Sequence, residues 1–306
     1  MGDVELSDGP ILAHEHLQID LSHNKGDDNV LSSNEESIII DDLCYAKTVY
    51  ELQAIADLSV PGGGRNPEAL ARISQQVGLH VICATGFYWD PVPDIAVHSS
   101  QQVLCDIMVR EITVGIGETD LRCGTIKIGT DQAEPNDIYE KIFRAAAAAS
   151  KITGASIITH TSKSEQAHWQ LDILEASGAD LSHVLISHLH KVKNFDEILA
   201  VGKRGAFMGI DQLGFKKGPT IEEVADIVVR AIDHGLCDQL ILSSDIARKS
   251  RLRGNGGTGY ATSFSEFLPL LRQRRISEVQ INKMMSDNPR NIYRIHNNVP
   301  VVGMKL

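Results

Sequence analysis

Short apolar runs alternate along the chain with longer segments that have helical periodicity. Eight of these runs are rich in aliphatic and β-branched residues and have the length of buried strands. They cover residues 11–14, 54–60, 80–85, 125–130, 156–161, 184–188, 206–211 and 239–245. The pattern therefore predicts eight strands.

The segments between these runs predict helices at residues 66–77, 136–153, 165–177, 194–203, 221–234 and 263–275. Four of them stop at a glycine, a common helix terminator: Gly78, Gly154, Gly178 and Gly235. Alternating strands and helices predict an α/β fold with a parallel sheet, and eight repeats favour closure into a (β/α)8 TIM barrel. An open doubly wound sheet would place a glycine-rich turn after the first strand, where the chain has Glu15-His16-Leu17 instead.

No Pro/Ser-rich linker, charge block or low-complexity tract divides the chain. Its length of 306 residues suits either two average domains or one α/β barrel. Because the strand–helix pattern runs without interruption, we expect residues 1–306 to form a single domain.

Polar side chains occur at or near the predicted carboxyl ends of five strands. They are His14 and His16, Lys127, His160, His188 and Asp245. In a parallel barrel all of these ends open on one face, where active sites are built from several strands. We therefore expect these six side chains to converge.

The histidines and the aspartate are typical metal ligands. His14 and His16 are two residues apart, so on a strand their imidazoles point to the same side. Surface or hydrogen-bonded core histidines would give the same local pattern, but four histidines at three strand ends favour a metal. A carboxylate at the end of a buried strand, such as Asp245, is costly unless it is paired or bound to a cation. Asp245 is therefore expected to act as ligand and proton acceptor, with a helix cap as the alternative.

Lys127 does not fit a simple metal site, because divalent cations repel an ammonium group. Three alternatives follow from its position: the side chain points elsewhere, it pairs with a carboxylate inside the barrel, or it loses its charge.

At these residues the sequence resembles the phosphotriesterase family of the amidohydrolase superfamily. The resemblance covers nearly the whole chain and rests on His14-Glu15-His16, Val60-Pro61-Gly62, Thr85-Gly86-Phe87-Tyr88-Trp89-Asp90-Pro91, Ile126-Lys127-Ile128-Gly129-Thr130, Thr159-His160-Thr161, Ile186-Ser187-His188, Asn255-Gly256-Gly257 and Asp287-Asn288-Pro289. It implies a barrel that holds two divalent metals. His14, His16 and Asp245 would bind the more buried metal, His160 and His188 the more exposed one, and a carboxylated Lys127 would bridge both.

This ligand set suits zinc, manganese or cobalt better than magnesium or calcium, and zinc is the expected metal. The resemblance implies that a hydroxide shared by the two metals attacks the substrate while Asp245 takes its proton. We expect a hydrolase that opens lactones or cleaves carboxylic esters. A phosphotriesterase or other phosphoester hydrolase is the alternative, and a non-catalytic binding barrel ranks lowest.

Two further positions bear on the substrate through the same resemblance. Tyr88 stands where lactone-hydrolysing relatives carry a Tyr that reaches the metal bridge, whereas organophosphate specialists place Trp there. Tyr88 is therefore expected to assist catalysis on a carbonyl. Gln212 stands where the lactonase branch has Arg, which argues against an acyl-homoserine lactone and makes Gln212 a predicted substrate contact.

Charge adds two expectations. The chain has 29 Lys+Arg against 40 Asp+Glu, a formal charge of −11, which argues against nucleic-acid binding. Four basic residues nevertheless follow Asp245 closely, namely Arg248, Lys249, Arg251 and Arg253. At the barrel mouth they would hold an anionic ester or lactone, because guanidinium groups match carboxylate and phosphate oxygens. A solvated loop with ion pairs is the alternative.

Three remaining expectations concern the surroundings of the protein. The longest uncharged stretch, residues 73–89, contains polar residues and glycines that do not suit a membrane helix. The first residues lack the basic and apolar segments of a signal peptide, and the five cysteines include no Cys-x-x-Cys pair. A cytoplasmic location is therefore expected, and the family resemblance implies a homodimer.

Overall fold

Eight parallel strands form a nearly closed barrel in the computed structural model, which describes residues 6, 8–22, 26–88, 92–130, 136–161, 163–191, 194–215 and 218–295. The strands are β1 (Ile11–Glu15), β2 (Ala54–Asp57), β3 (His80–Thr85), β4 (Thr125–Gly129), β5 (Ser156–His160), β6 (Val184–Ile186), β7 (Phe207–Ile210) and β8 (Leu240–Leu242). Their order in the sheet is their order in the chain. The predicted (β/α)8 barrel is confirmed. A short antiparallel pair, Ile19–Asp20 with Val30–Leu31, follows β1.

The helices surround the strands. They are α1 (Glu36–Tyr50), α2 (Pro67–Val77), α3 (Asp94–His98), α4 (Gln101–Thr113), α5 (Asp137–Thr153), α6 (Ser164–Ala176), α7 (Phe195–Lys203), α8 (Ile221–Asp233), α9 (Leu268–Gln273), α10 (Glu278–Asn282) and α11 (Asn288–Tyr293). Two π-helical turns, Ser263–Phe267 and Lys283–Asp287, lead into α9 and α11. Turns of 3-10 helix occur at Asp27–Asn29, Leu181–His183, Leu189–Lys191, Cys237–Gln239, Lys249–Arg251, Arg253–Asn255 and Gly259–Ala261.

All six predicted helices are present, although residues 263–275 begin as a π-helical turn rather than an α-helix. Local capping explains why several boundaries were predictable. The side chain of Asn66 accepts a hydrogen bond from the backbone of Ala69 at the start of α2, and Gly78 ends that helix with a φ of 65°. Thr220 and Glu223 form a reciprocal capping box at the start of α8.

The strands separate two layers of core. Ile126 and Ile128 of β4 pack in the large cluster between sheet and helices, whereas Lys127 between them lies on the opposite side of the strand. A smaller cluster that includes Ala13, Ile158 and Leu185 fills the space on that inner side. This alternation places Lys127 inside the barrel with only 1% of its surface exposed.

Backbone and side-chain hydrogen bonds help to close the barrel between β1 and the segment that follows β8. The backbone N–H of Asp245 donates to the carbonyl of His14 (3.1 Å), and the backbone N–H of His14 donates to the hydroxyl of Ser243 (3.0 Å). The buried carboxylate of Glu15 accepts from the Ser243 hydroxyl (2.7 Å) and from the backbone N–H groups of Ser244 (2.6 Å) and Ile246 (2.8 Å). The first and last strands are thus joined at the end where the predicted site residues lie.

Within the described ranges, no helix has both the length and the apolar character needed to cross a bilayer.

Candidate metal centre and substrate pocket

One pocket opens at the carboxyl ends of the strands, and all six predicted metal ligands line it. Tyr88, Gln212 and Arg248 also line this pocket. The lining is partly apolar and includes Ile19, Leu21, Leu58, Val60 and Phe215. The predicted convergence of strand ends is therefore observed.

Four of the predicted ligands approach one another around His14 of β1. His16 Nε2 lies 3.3 Å from Asp245 Oδ1, and His14 Nε2 lies 3.8 Å from the same oxygen. Lys127 Nζ lies 3.4 Å from His14 Nε2. Each of these side chains is buried, which removes most competing water.

The other two predicted ligands form a second group. His188 Nε2 lies 3.0 Å from His160 Nδ1, and their ring centroids are 4.6 Å apart. Ligand atoms around a tetrahedral zinc ion at about 2.0–2.1 Å lie ~3.3 Å from one another. The nitrogen and oxygen separations in both groups are close to this value, so the donor atoms fit divalent cations. One atom each of His14, His188 and Asp245 also fall within 4.8 Å of one another.

Unusual backbone conformations turn several site residues into the pocket. His188, Gln212 and Asp245 have φ values of 61°, 51° and 50°, which non-glycine residues rarely adopt. Each lies just beyond the end of its strand, so strands predicted to reach 188, 211 and 245 end at Ile186, Ile210 and Leu242. Strain of this kind is concentrated at functional sites.

Two hydrogen-bonding partners of the histidines were not predicted. The Ser59 hydroxyl lies 2.9 Å from His16 Nδ1, and the carboxylate of Asp211 contacts Nδ1 of both His14 and His188. The sequence contains a signal for Asp211, because it follows the buried run of β7 just as Asp245 follows β8. Ser59 has no comparable sequence signal.

Burial sets the charges of these groups. It lowers the pKa of the His14 and His188 imidazoles, which keeps their lone pairs free to bind a cation. Burial also lowers the pKa of Lys127 to about 8. Burial opposes ionisation of Asp245, but the neighbouring histidines His14, His16 and His188 hold the pKa of its carboxyl well below its usual range.

Tyr88 and Gln212 contact the predicted ligands directly. The Tyr88 ring stacks on His160 with centroids 4.9 Å apart, and Lys127 Nζ lies 5.4 Å from the Tyr88 centroid. Gln212 Nε2 donates to Asp245 Oδ2 at 2.6 Å. Residues 89–91 of the Tyr88 motif lie outside the described part of the chain.

The basic cluster after Asp245 is not a single surface. Arg248 lines the pocket, whereas Lys249, Arg251 and Arg253 are not part of its described lining. Lys249 Nζ lies 2.9 Å from Glu35 Oε1, and Arg251 donates to the carbonyl of Leu213 (2.8 Å). The Arg253 guanidinium lies 3.4 Å from the centroid of the Tyr45 ring. Each of these three residues has a local partner, and its predicted contact with the substrate stays a prediction.

The fold and the pocket together define a (β/α)8 barrel with a histidine-rich site at the carboxyl ends of its strands. The profile of the Phosphotriesterase family matches residues 1–293, and the chain belongs to this family. It is 35% identical over 289 residues to the phosphotriesterase homology protein of Escherichia coli, a match that covers 94% of this chain and 98% of the relative.

The crystal structure of that Escherichia coli protein, complexed with phosphate in its active site, superposes with a TM-score of 0.89 over 94% of this chain and 99% of the other. The N-acetyltaurine hydrolase of Homo sapiens is 28% identical over 304 residues, covering 93% of this chain and 85% of the relative. A mutant of a phosphotriesterase-like lactonase from Deinococcus radiodurans is 26% identical, with a TM-score of 0.84 over 96% of this chain and 98% of the other. These relatives support a hydrolase of the phosphotriesterase family.

Proposed function

We propose that this chain is a metal-dependent hydrolase that opens lactones or cleaves carboxylic esters with the help of two zinc ions. The observation that carries the proposal is the convergence of six side chains from five strands, whose nitrogen and oxygen atoms approach to 3.0–3.8 Å in one buried pocket. Manganese or cobalt would suit the same donor atoms.

His14, His16 and Asp245 would hold one cation, and His160 and His188 would hold the other. Lys127 lies beside His14, and no described carboxylate oxygen lies within ion-pair distance of its Nζ. An unpaired ammonium group at this depth would be unfavourable. Addition of carbon dioxide to the neutral amine releases one proton and gives a carbamate, an anionic group with which Lys127 would help to hold the cations.

When bound, two divalent cations would supply an activated water as the nucleophile and would polarise the scissile carbonyl oxygen. Asp245 would accept the proton from that water and return it to the leaving alkoxide, which completes the hydrolysis. The Gln212 amide holds Asp245 Oδ2, so Oδ1 stays directed at His16. Tyr88 stands against His160 at the pocket wall, where its hydroxyl would orient the carbonyl.

Two relatives suggest other substrates to test. The Escherichia coli protein was solved with phosphate in its active site, which favours a phosphoester hydrolase as the second candidate. The human relative is named for hydrolysis of an N-acetyl amide that carries a sulfonate. A panel of lactones, aryl esters, phosphotriesters, phosphomonoesters and N-acetyl amides would rank these substrates by kcat/KM.

The test combines metal analysis with a substitution of Lys127. Purified protein is expected to contain two equivalents of zinc and to give a carbamate carbon signal after exchange with 13C-labelled bicarbonate. Lys127→Met should bind fewer than two equivalents and lose most turnover on its best substrate, whereas Lys151→Met, an exposed change on α5, should behave as wild type. Full hydrolysis by protein freed of metal would contradict the proposal.

A further inference from the structure

Asp211 occupies a central position among the histidines of the pocket. It follows β7, and 1% of its surface is exposed. Its Oδ2 lies 3.1 Å from His14 Nδ1, and its Oδ1 accepts a hydrogen bond from His188 Nδ1. The two imidazoles it contacts lie side by side, with ring centroids 5.0 Å apart.

Under the proposed function, His14 belongs to one cation site and His188 to the other. We propose that Asp211 is a positioning residue shared by both sites, so that one carboxylate prepares a histidine for each cation. This inference rests on the proposed function for the assignment of the two histidines, but the contacts of Asp211 stand independently of it.

The physical basis is the choice of imidazole tautomer. A carboxylate at Nδ1 places the ring proton there and leaves the Nε2 lone pair free for a cation. Nε2 of His14 points to Lys127 Nζ (3.4 Å), and Nε2 of His188 points to His160 Nδ1 (3.0 Å). In both rings Nε2, the nitrogen that does not contact Asp211, therefore faces the predicted cation position.

The described residues offer no substitute for this carboxylate. Apart from their mutual contact, His14 Nδ1 and Asp211 Oδ2 have no hydrogen-bond partner in the described part of the chain. The absence of a side chain at Gly209 makes room for the Asp211 carboxylate, because a Cβ at Gly209 would lie 3.0 Å from Asp211 Oδ2. Loss of Asp211 would thus free both imidazoles to rotate or change tautomer.

His16 provides a matched comparison within the same pocket. Its Nδ1 has a separate partner, the Ser59 hydroxyl at 2.9 Å, and Ser59 contacts neither His14 nor His188 through a described hydrogen bond. Removal of that hydroxyl should therefore affect the cation bound by His16 and leave the other cation unchanged.

The test measures zinc binding without reference to activity. Metal-free wild type, Asp211→Asn, Asp211→Ser and Ser59→Ala would be titrated with zinc against a competing chelator, with native mass spectrometry to count the bound ions. Both Asp211 variants should lose about 10–100-fold in affinity for each of the two ions. Ser59→Ala should weaken no more than one binding step.

Folding and tautomer measurements make the result decisive. Circular dichroism of the metal-free variants identifies any that fail to fold. Because the Asn and Ser side chains at position 211 differ in size, one Asp211 variant can be used if the other does not fold. In addition, 15N NMR of the histidine rings in metal-free wild type should show Nδ1–H for both His14 and His188.

Three results would distinguish failure of the shared role of Asp211 from failure of the proposed function. If wild type binds two zinc ions but a folded Asp211 variant weakens only one step or neither, the shared role of Asp211 is wrong. An Nε2–H tautomer at either histidine would overturn it as well. If wild type itself binds fewer than two ions, the proposed function fails instead.

Discussion

At the residue scale, Arg248 is a predicted substrate contact that lines the pocket. Its guanidinium lies 5.0 Å from the centroid of the Phe215 ring, and no described carboxylate lies within ion-pair distance of it. A guanidinium at a pocket wall that has no carboxylate partner among the described residues is notable in a chain of formal charge −11. We therefore propose that the substrate carries an anionic group that reaches Arg248 while its carbonyl lies near Asp245.

Arg248→Ala should raise KM for an anionic ester or lactone and leave kcat nearly unchanged, because the lost contact lies away from the reacting atoms. A hydrogen bond to a charged group contributes about 1.5–3 kcal/mol, so the expected increase in KM is about 10–150-fold. Steady-state kinetics with matched anionic and neutral esters would measure it. Arg253→Ala, outside the described pocket lining, is the control, and an equal increase in KM for neutral esters would contradict the prediction.

At the scale of elements, a largely buried ion pair holds the loop between β2 and α2. Arg65 donates to both carboxylate oxygens of Glu111 on α4, at 2.6 and 2.8 Å, and to the carbonyl of Ala84 at 3.0 Å. The Thr85 hydroxyl donates to the same carboxylate. This loop contributes Val60 and Gly63 to the pocket, so the ion pair links a helix outside the barrel to the pocket wall.

Glu111→Ala should lower the free energy of unfolding by about 3–5 kcal/mol, because it leaves the Arg65 guanidinium buried without its partner. The control is Glu36→Ala, which breaks the more exposed pair with Arg72 and should cost much less, because water screens exposed charges. Urea unfolding, analysed with a constant m-value, would measure the change in the free energy of unfolding for both variants. The double variant Arg65→Met/Glu111→Leu should recover much of the loss, and equal costs at both pairs would refute the argument.

At the scale of the whole molecule, closure of the barrel depends on Glu15. This carboxylate accepts from the backbone N–H groups of Ser244 and Ile246, and it thereby joins the first strand to the segment after the last. Asp245 lies between those two residues. The contacts that close the barrel therefore also place the predicted catalytic carboxylate.

Glu15→Ala should destabilise the fold strongly, since each backbone donor left buried without an acceptor costs about 1–3 kcal/mol. Unfolding in the presence of a chelator would separate this effect from any loss of metal. Glu118→Ala, at an exposed loop position, should change stability by less than about 0.5 kcal/mol. If Glu15→Ala had the same unfolding midpoint as Glu118→Ala, the Glu15 carboxylate would not maintain the closure of the barrel.

The sequence by itself determined the class of fold and the face that carries the site. Eight apolar runs separated by helical segments leave little choice but a parallel barrel, and parallel strands all end on the same face. Polar residues at those ends, such as His14, His188 and Asp245, therefore had to meet. Helix boundaries could be predicted at capping residues such as Asn66 and Thr220 because the contacts of these residues are local.

Only the tertiary structure decided which atoms face one another. The sequence treats Arg248 and Arg253 alike, yet Phe215 and Tyr45, distant in the chain, direct them to different places. Asp211 acquires two histidine partners only when β1, β6 and β7 are assembled. Side-chain direction at a strand end depends on backbone angles and packing from remote segments, and neither is encoded in a local pattern.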